Sequence, residues 1–322
     1  MEESKLTPEM ASRAQSNPGP NPASSFALKH HPQGSDVEPE PLLHNIFMSN
    51  NGLRSGWGLV LYFGMFALVL AAGSWLTQSL HFSDLWSQML NQVGALAAAV
   101  IPALALARIE KRHWGDYGLQ MQRGFSKLFG VGVIWGFLGI TLLLVILHEM
   151  HAFDFGHVVL HGTRIAKFAA FWGVMFLLVA FFEEFLLRGY TQFTLSRSIG
   201  FWPAAALLSI IFGTLHLNNP GEAWSGALAA AFIGLFFCFT LRRTGSLWFA
   251  AGFHAAWDWG ESFFYSVPDS GQVSPGHLLS SSFHGSRWLT GGSVGPEGSL
   301  LCFFVITVLW AVFANIYAGK RS

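Results

Sequence analysis

Charge is scarce in this sequence. Asp, Glu, Lys and Arg make up 11% of it and apolar residues 52%, whereas soluble domains carry about 25% charged residues; this is the composition of a membrane protein. Acidic and basic residues balance to a net charge of zero, which argues against a nucleic-acid partner and leaves the information in where the charges sit. Cysteine is almost absent. Cys238 and Cys302 both lie in apolar runs, and no disulfide framework is expected of them. The N-terminus lacks an apolar stretch of the kind found in signal peptides, so no cleavable leader is expected. The apolar runs also lack period-two alternation, which excludes barrel strands and implies helices.

Eight apolar segments are present, near residues 57–76, 90–107, 128–147, 166–187, 201–217, 224–241, 246–263 and 299–317. Each approaches the roughly 20 residues needed to cross the hydrocarbon of a bilayer. The expected fold is therefore all-α, a polytopic bundle of eight transmembrane helices. Residues 1–41 hold seven of the thirteen prolines with many Ser, Asn and His, too little apolar surface to offset ordering, and are expected to form a disordered cytoplasmic tail. Residues 42–322 form the membrane domain, its start at 41–57 lying at the membrane surface. Orientation follows Lys and Arg. With the N-terminus inside, fifteen fall on the inner side and only Arg164, Lys167 and Arg287 on the outer side. Both termini are thus expected in the cytoplasm of an integral protein of the plasma membrane. Small residues recur at helix-packing spacing, Gly132 with Gly136 and Gly252 with Ala256 and Gly260, and are read as close contacts between helices.

Against this background residues 171–190, FWGVMFLLVAFFEEFLLRGY, stand out. A charge near the bilayer centre costs about 2.5–3.5 kcal/mol on insertion scales, yet Glu183 and Glu184 are adjacent and Arg188 follows. Glu184 and Arg188 are four apart and share a helix face in the favourable order, acid first. Glu183, about 100° round the helix, is left without that partner. An unpaired, desolvated carboxylate suits a group that takes up and returns protons.

Two later spans add polar groups. In FGTLH, Phe212 and His216 share a face, and in HAAWD so do His254 and Asp258. Asp258 can accept from His254 and fix its tautomer and orientation. The face made by Gly252, Ala256 and Gly260 points away from His254, so one side of that helix can pack while the other looks into a cavity. Three spans with ionisable groups, in a chain so poor in charge, point to an intramembrane functional site. Hydrolysis with an acid as general base and proton or cation translocation both fit such a set, although no repeated half of the kind common in transporters is visible. The outer HEMH, with His148 and His151 three apart, does not match the zincin spacing of four.

EEFLLR at 183–188, FGTLH at 212–216 and HAAWD at 254–258 resemble, in order and spacing, the EExxxR, FxxxH and HxxxN or HxxxD motifs of the CPBP family. These are intramembrane proteases related to type II CAAX prenyl endopeptidases and bacteriocin-processing proteins. The resemblance covers about 166–262, and Asp258 stands where the prenyl endopeptidases typically have Asn. It implies an eight-span bundle open to the cytoplasmic side and an endopeptidase acting on membrane-associated proteins or peptides. By the same resemblance, Glu183 and His216 activate water, His254 and Asp258 stabilise the oxyanion or orient the substrate, and Glu184 and Arg188 complete the site. Alternatively His216, His254 and one glutamate hold a divalent metal such as zinc with an open position for water. Glu183, Glu184, His216 and His254 should then converge on one cavity. For Glu183 and His216 to meet, the fourth helix must run on to about 195 and the fifth must extend toward Asn218 and Asn219.

Overall fold

A computed structural model describes residues 48–49, 52–120 and 127–318. The expected tail at 1–41 and part of the 41–57 stretch lie outside the described residues. A short antiparallel pair, β1 (Met48–Ser49) and β2 (Gly52–Leu53), precedes the first helix. The helices follow in order: α1 (Ser55–Leu80), α2 (Asp84–Ile109), α3 (Lys127–Glu149), α4 (Thr163–Glu184), α5 (Gln192–Ile199), α6 (Phe201–His216), α7 (Trp224–Thr244) and α8 (Trp248–Trp259). The 264–298 segment contains β4 (Ser282–Phe283), paired with β3 (Phe153–Asp154), and the short α9 (Arg287–Thr290). α10 (Leu300–Ile316) completes the bundle.

The expected apolar segments are all helical, but they are not equal. Among the described residues, five helical runs are long and apolar enough to cross a membrane: α1, α2, α3, the run Thr163–Ile199 and α7. α6 and α10 are apolar but shorter. The 16 residues of α6 span about 24 Å, less than the roughly 30 Å of a hydrocarbon core. Large apolar side chains such as Leu68, Trp75, Ile134, Ile210 and Phe304 face outward from the bundle, as lipid-facing residues must.

The fourth expected span does not stop at 187. α4 continues through a π-helical turn, Phe185–Thr191, into α5, a 37-residue helical run kinked at Gly189. Gly189 sits in that turn at φ −82°, ψ −111°, outside helical values. Glu183 thereby lies near the middle of the run rather than at its end. Gly200, at φ 86°, then lets the chain turn into α6. α6 itself ends at His216 and is followed by hydrogen-bonded turns at Leu217, Asn218 and Asn219, so the expected extension toward Asn218 and Asn219 is corrected: the chain turns there.

Without a hydrophobic force between helices in lipid, association depends on close packing. α3 and α8 meet backbone to backbone. A Cβ on Gly132 would collide with the Phe249 carbonyl, one on Gly136 with the Phe253 carbonyl, and one on Gly252 with the Phe129 carbonyl. Gly260 faces Ile140 of α3. This small-residue face clamps α8 from one side, as its spacing suggests, and leaves His254 to the other. Around the seam, Phe236, Phe249, Phe253 and Phe313 form an aromatic core with ring centroids 4.8–6.3 Å apart. The helix carrying His254 and Asp258 is thus fixed before any polar contact is made.

Candidate active site

Glu184 is the hub of the site. Its side chain is 1% exposed, and its Oε1 accepts from Arg188 Nη1 at 3.1 Å, the contact expected from the spacing of four. The same oxygen also faces His254 Nδ1 at 3.1 Å. Arg188 is enclosed by apolar groups. Its guanidinium carbon lies 4.4 Å from the centroid of Phe212, a cation–π geometry that strengthens when water is excluded. Gly234 provides its space, since a Cβ there would strike Arg188 Nη2.

His254 stands among three carboxylates. Nδ1 faces Glu184, while Nε2 lies 3.4 Å from Asp258 Oδ2 and 3.6 Å from Glu183 Oε2. The expected His254–Asp258 contact is present, but it is Glu184 that holds Nδ1. Ionised carboxylates only accept, so the doubly protonated ring is the form that donates on both sides. Phe237 stacks on the imidazole at 5.8 Å and 26°.

His216 is placed differently. Its Nδ1 lies 2.8 Å from the Phe212 carbonyl; a carbonyl only accepts, so Nδ1 carries a proton and the neutral ring keeps its lone pair on Nε2. Phe212 packs edge-on against His216 at 4.5 Å. Phe212 therefore touches both Arg188 and His216, a bridging role that explains the aromatic residue four before the histidine. No carboxylate forms an ion-pair contact within 4.0 Å of His216 among the described residues. The histidine beside Glu183 is His254.

These groups border a cavity of about 590 Å³, within the usual range for ligand sites. Glu183, His216, His254 and Asp258 all line it, whereas Glu184 is tucked behind His254. Glu183 Oε2 is buried with no hydrogen-bond partner. Trp172, Met175, Phe176 and Val179 make an apolar wall from α4. Asp269 and Glu297, from the 264–298 segment, also line it. Sequence reasoning missed these two, since they sit in a Gly/Ser/Pro-rich stretch with no helical spacing to read. Desolvation pushes the Asp269 carboxyl well above the usual carboxylate range, with Asp258 and Glu297 adding to the effect and a hydrogen bond from Ser262 opposing it. Burial likewise raises Glu222, in the turn after α6, against the pull of the Ala223 N–H; Glu297 raises it further and His216 lowers it.

A zinc ion on His216, His254 and one glutamate does not fit this arrangement. Zinc ligand atoms lie about 2.0–2.3 Å from the metal, hence within about 4.6 Å of one another. Among the described residues, no three groups from the motifs bring ligand atoms within 4.8 Å of one another. His148 of the HEMH stretch is engaged elsewhere, its Nδ1 lying 2.8 Å from the Phe153 carbonyl.

Residues 165–260 match the model of the family described as Type II CAAX prenyl endopeptidase Rce1-like. The matched segment contains all three motifs, and the match supports a CPBP-family intramembrane protease. Together with the apolar helices it supports an integral membrane protein. A search of curated proteins and one of solved structures find nothing that matches the chain.

Proposed function

We propose that the protein hydrolyses peptide bonds of membrane-associated proteins or peptides through a water activated by Glu183. The observation that carries this is the Glu183 carboxylate, which belongs to a residue lining the cavity and has its Oε2 3.6 Å from His254 Nε2 without a hydrogen-bond partner. In this reading a water is gripped by two acceptors, the Glu183 carboxylate and His216 Nε2. Glu183 removes one proton as the water oxygen bonds to the scissile carbonyl carbon. Negative charge moves to the carbonyl oxygen, which the Nε2–H of a protonated His254, shared with Asp258, would stabilise. The C–N bond then breaks, and Glu183 returns its proton to the departing amine. Asp258 holds His254 from Nε2 and Glu184 holds it from Nδ1. Arg188 fixes Glu184, so these three are positioning residues.

The reading includes an eight-span bundle at 42–322 with a protease core near 166–262, a cytoplasmic tail at 1–41 and a plasma-membrane location. The charge distribution supports both termini inside. Reporter fusions at 109–127 and at either terminus are then expected to score cytoplasmic and fusions within 264–298 external; an internal 264–298 segment would reverse the orientation.

The function is tested with the purified full-length chain in liposomes containing membrane-anchored peptides. Discrete cleavage that depends on Glu183 is the expected result. Failure to cut any peptide, together with proton or cation flux that depends on Glu183, would replace hydrolysis by translocation.

A further inference from the structure

Beside the cavity lies a second group of acids that the hydrolytic reading does not use. Glu261 lies in the π-helical turn Gly260–Tyr265 after α8, Asp269 in the segment that follows, and Glu297 in the 3-10 turn Pro296–Gly298 before α10. One ligand oxygen from each lies within 4.8 Å of the other two. Three acids alone would say little, but Glu261 is 0% exposed and both of its carboxylate oxygens lack a hydrogen-bond partner. Among the described residues, no Lys, Arg or His pairs with any of the three.

The other two carboxylates are held in place by donors on one oxygen each. Ser262 Oγ donates to Asp269 Oδ2 at 3.1 Å. The backbone N–H and hydroxyl of Ser270 both donate to Glu297 Oε2, at 3.1 and 2.7 Å. Each therefore keeps an oxygen for another partner. Calcium takes oxygen ligands at about 2.3–2.6 Å and magnesium at about 2.0–2.1 Å, so two ligands on opposite sides of one ion stand about 4–5 Å apart. The spacing of this cluster fits one such ion.

We propose that Glu261, Asp269 and Glu297 bind one hard divalent cation, calcium or magnesium, which ties the 264–298 segment to the end of α8. All-carboxylate donors favour these ions over soft, thiolate- or imidazole-seeking ones. The ion would match the buried negative charge and fix this wall of the cavity. This site takes none of the motif histidines as ligands, although Asp258 and His254 lie close enough to act electrostatically on Asp269, and it does not depend on the proposed hydrolysis.

The test uses the detergent-solubilised full chain, stripped with chelator and titrated separately with CaCl2 and MgCl2. Calorimetry is expected to show saturable binding of one ion per chain in at least one arm, with a rise in the unfolding midpoint in the same arm. The stronger arm identifies the ion. Glu261→Gln and Glu297→Gln are each expected to weaken binding at least about tenfold by removing a ligand charge. Glu183→Gln is expected to bind the ion normally, so loss of hydrolysis and loss of the ion site are read independently. If Glu261→Gln does not fold, the wild-type titration and Glu297→Gln decide. Absence of saturable binding in both arms, with an unfolding midpoint indifferent to either ion, would overturn the proposal; the acids would then be relieved by protons, and Glu261→Gln would leave stability unchanged or raise it.

Discussion

Glu183→Gln is expected to lower peptide hydrolysis by about 10²-fold or more, the usual scale for losing a general base, while folding and membrane insertion persist. The amide keeps the size of the side chain but cannot accept the water's proton. Structural cost should be small because Glu183 Oε2 makes no hydrogen bond to lose, and its nearest charged neighbour, His254 Nε2, retains Asp258 at 3.4 Å. The check is a rate measurement with the same membrane-anchored peptide, alongside thermal unfolding of both proteins. A variant that unfolds early would mean that Glu183 carries structure, and a variant that cleaves at the wild-type rate would remove it from the chemistry.

Glu184→Gln is expected to act through stability. Its Oε1 serves both Arg188 and His254 at 3.1 Å, and the Arg188 side chain is fully enclosed. Removing one partner of a buried ion pair costs about 3–5 kcal/mol, because the remaining charge is left without compensation. A marked fall in the unfolding midpoint and in yield from membranes should result, together with lower activity as His254 loses its anchor at Nδ1. Changing both Glu184 and Arg188 to neutral residues should recover part of the stability and not the activity, since replacing a whole buried pair is far less costly than breaking one. Wild-type stability in Glu184→Gln with hydrolysis lost, while Glu183→Gln stays active, would exchange the roles of the two acids.

The contacts that were legible in the sequence are those within one helix. Glu184 to Arg188 and His254 to Asp258 both follow from spacing of four, and the structure places them at 3.1 and 3.4 Å. The packing face of α8 was legible for the same reason: Gly252 and Gly260 recur with helical period and meet α3. Contacts between helices were not. Glu184 meets His254 across 70 residues, and no local rule indicates that the acid paired with Arg188 would also anchor the histidine. The π-helical turn at Phe185–Thr191 was invisible to a period-3.6 reading, although such turns gather at functional sites. It carries the helix on to Ile199 and places Glu183 opposite α8. Asp269 and Glu297 were hidden for another reason, since turn-rich stretches bring residues together by tertiary contacts that leave no periodic trace.

The proposed hydrolysis makes a water activated at Glu183 the nucleophile that cuts a peptide bond in this cavity. It is tested most directly by running the cleavage in water enriched in ¹⁸O and weighing the products from wild-type and Glu183→Gln protein. A wild-type product with ¹⁸O in its new C-terminal carboxyl group and almost no product from the folded variant are expected. Equal amounts of the same labelled product from both proteins would contradict this role of Glu183.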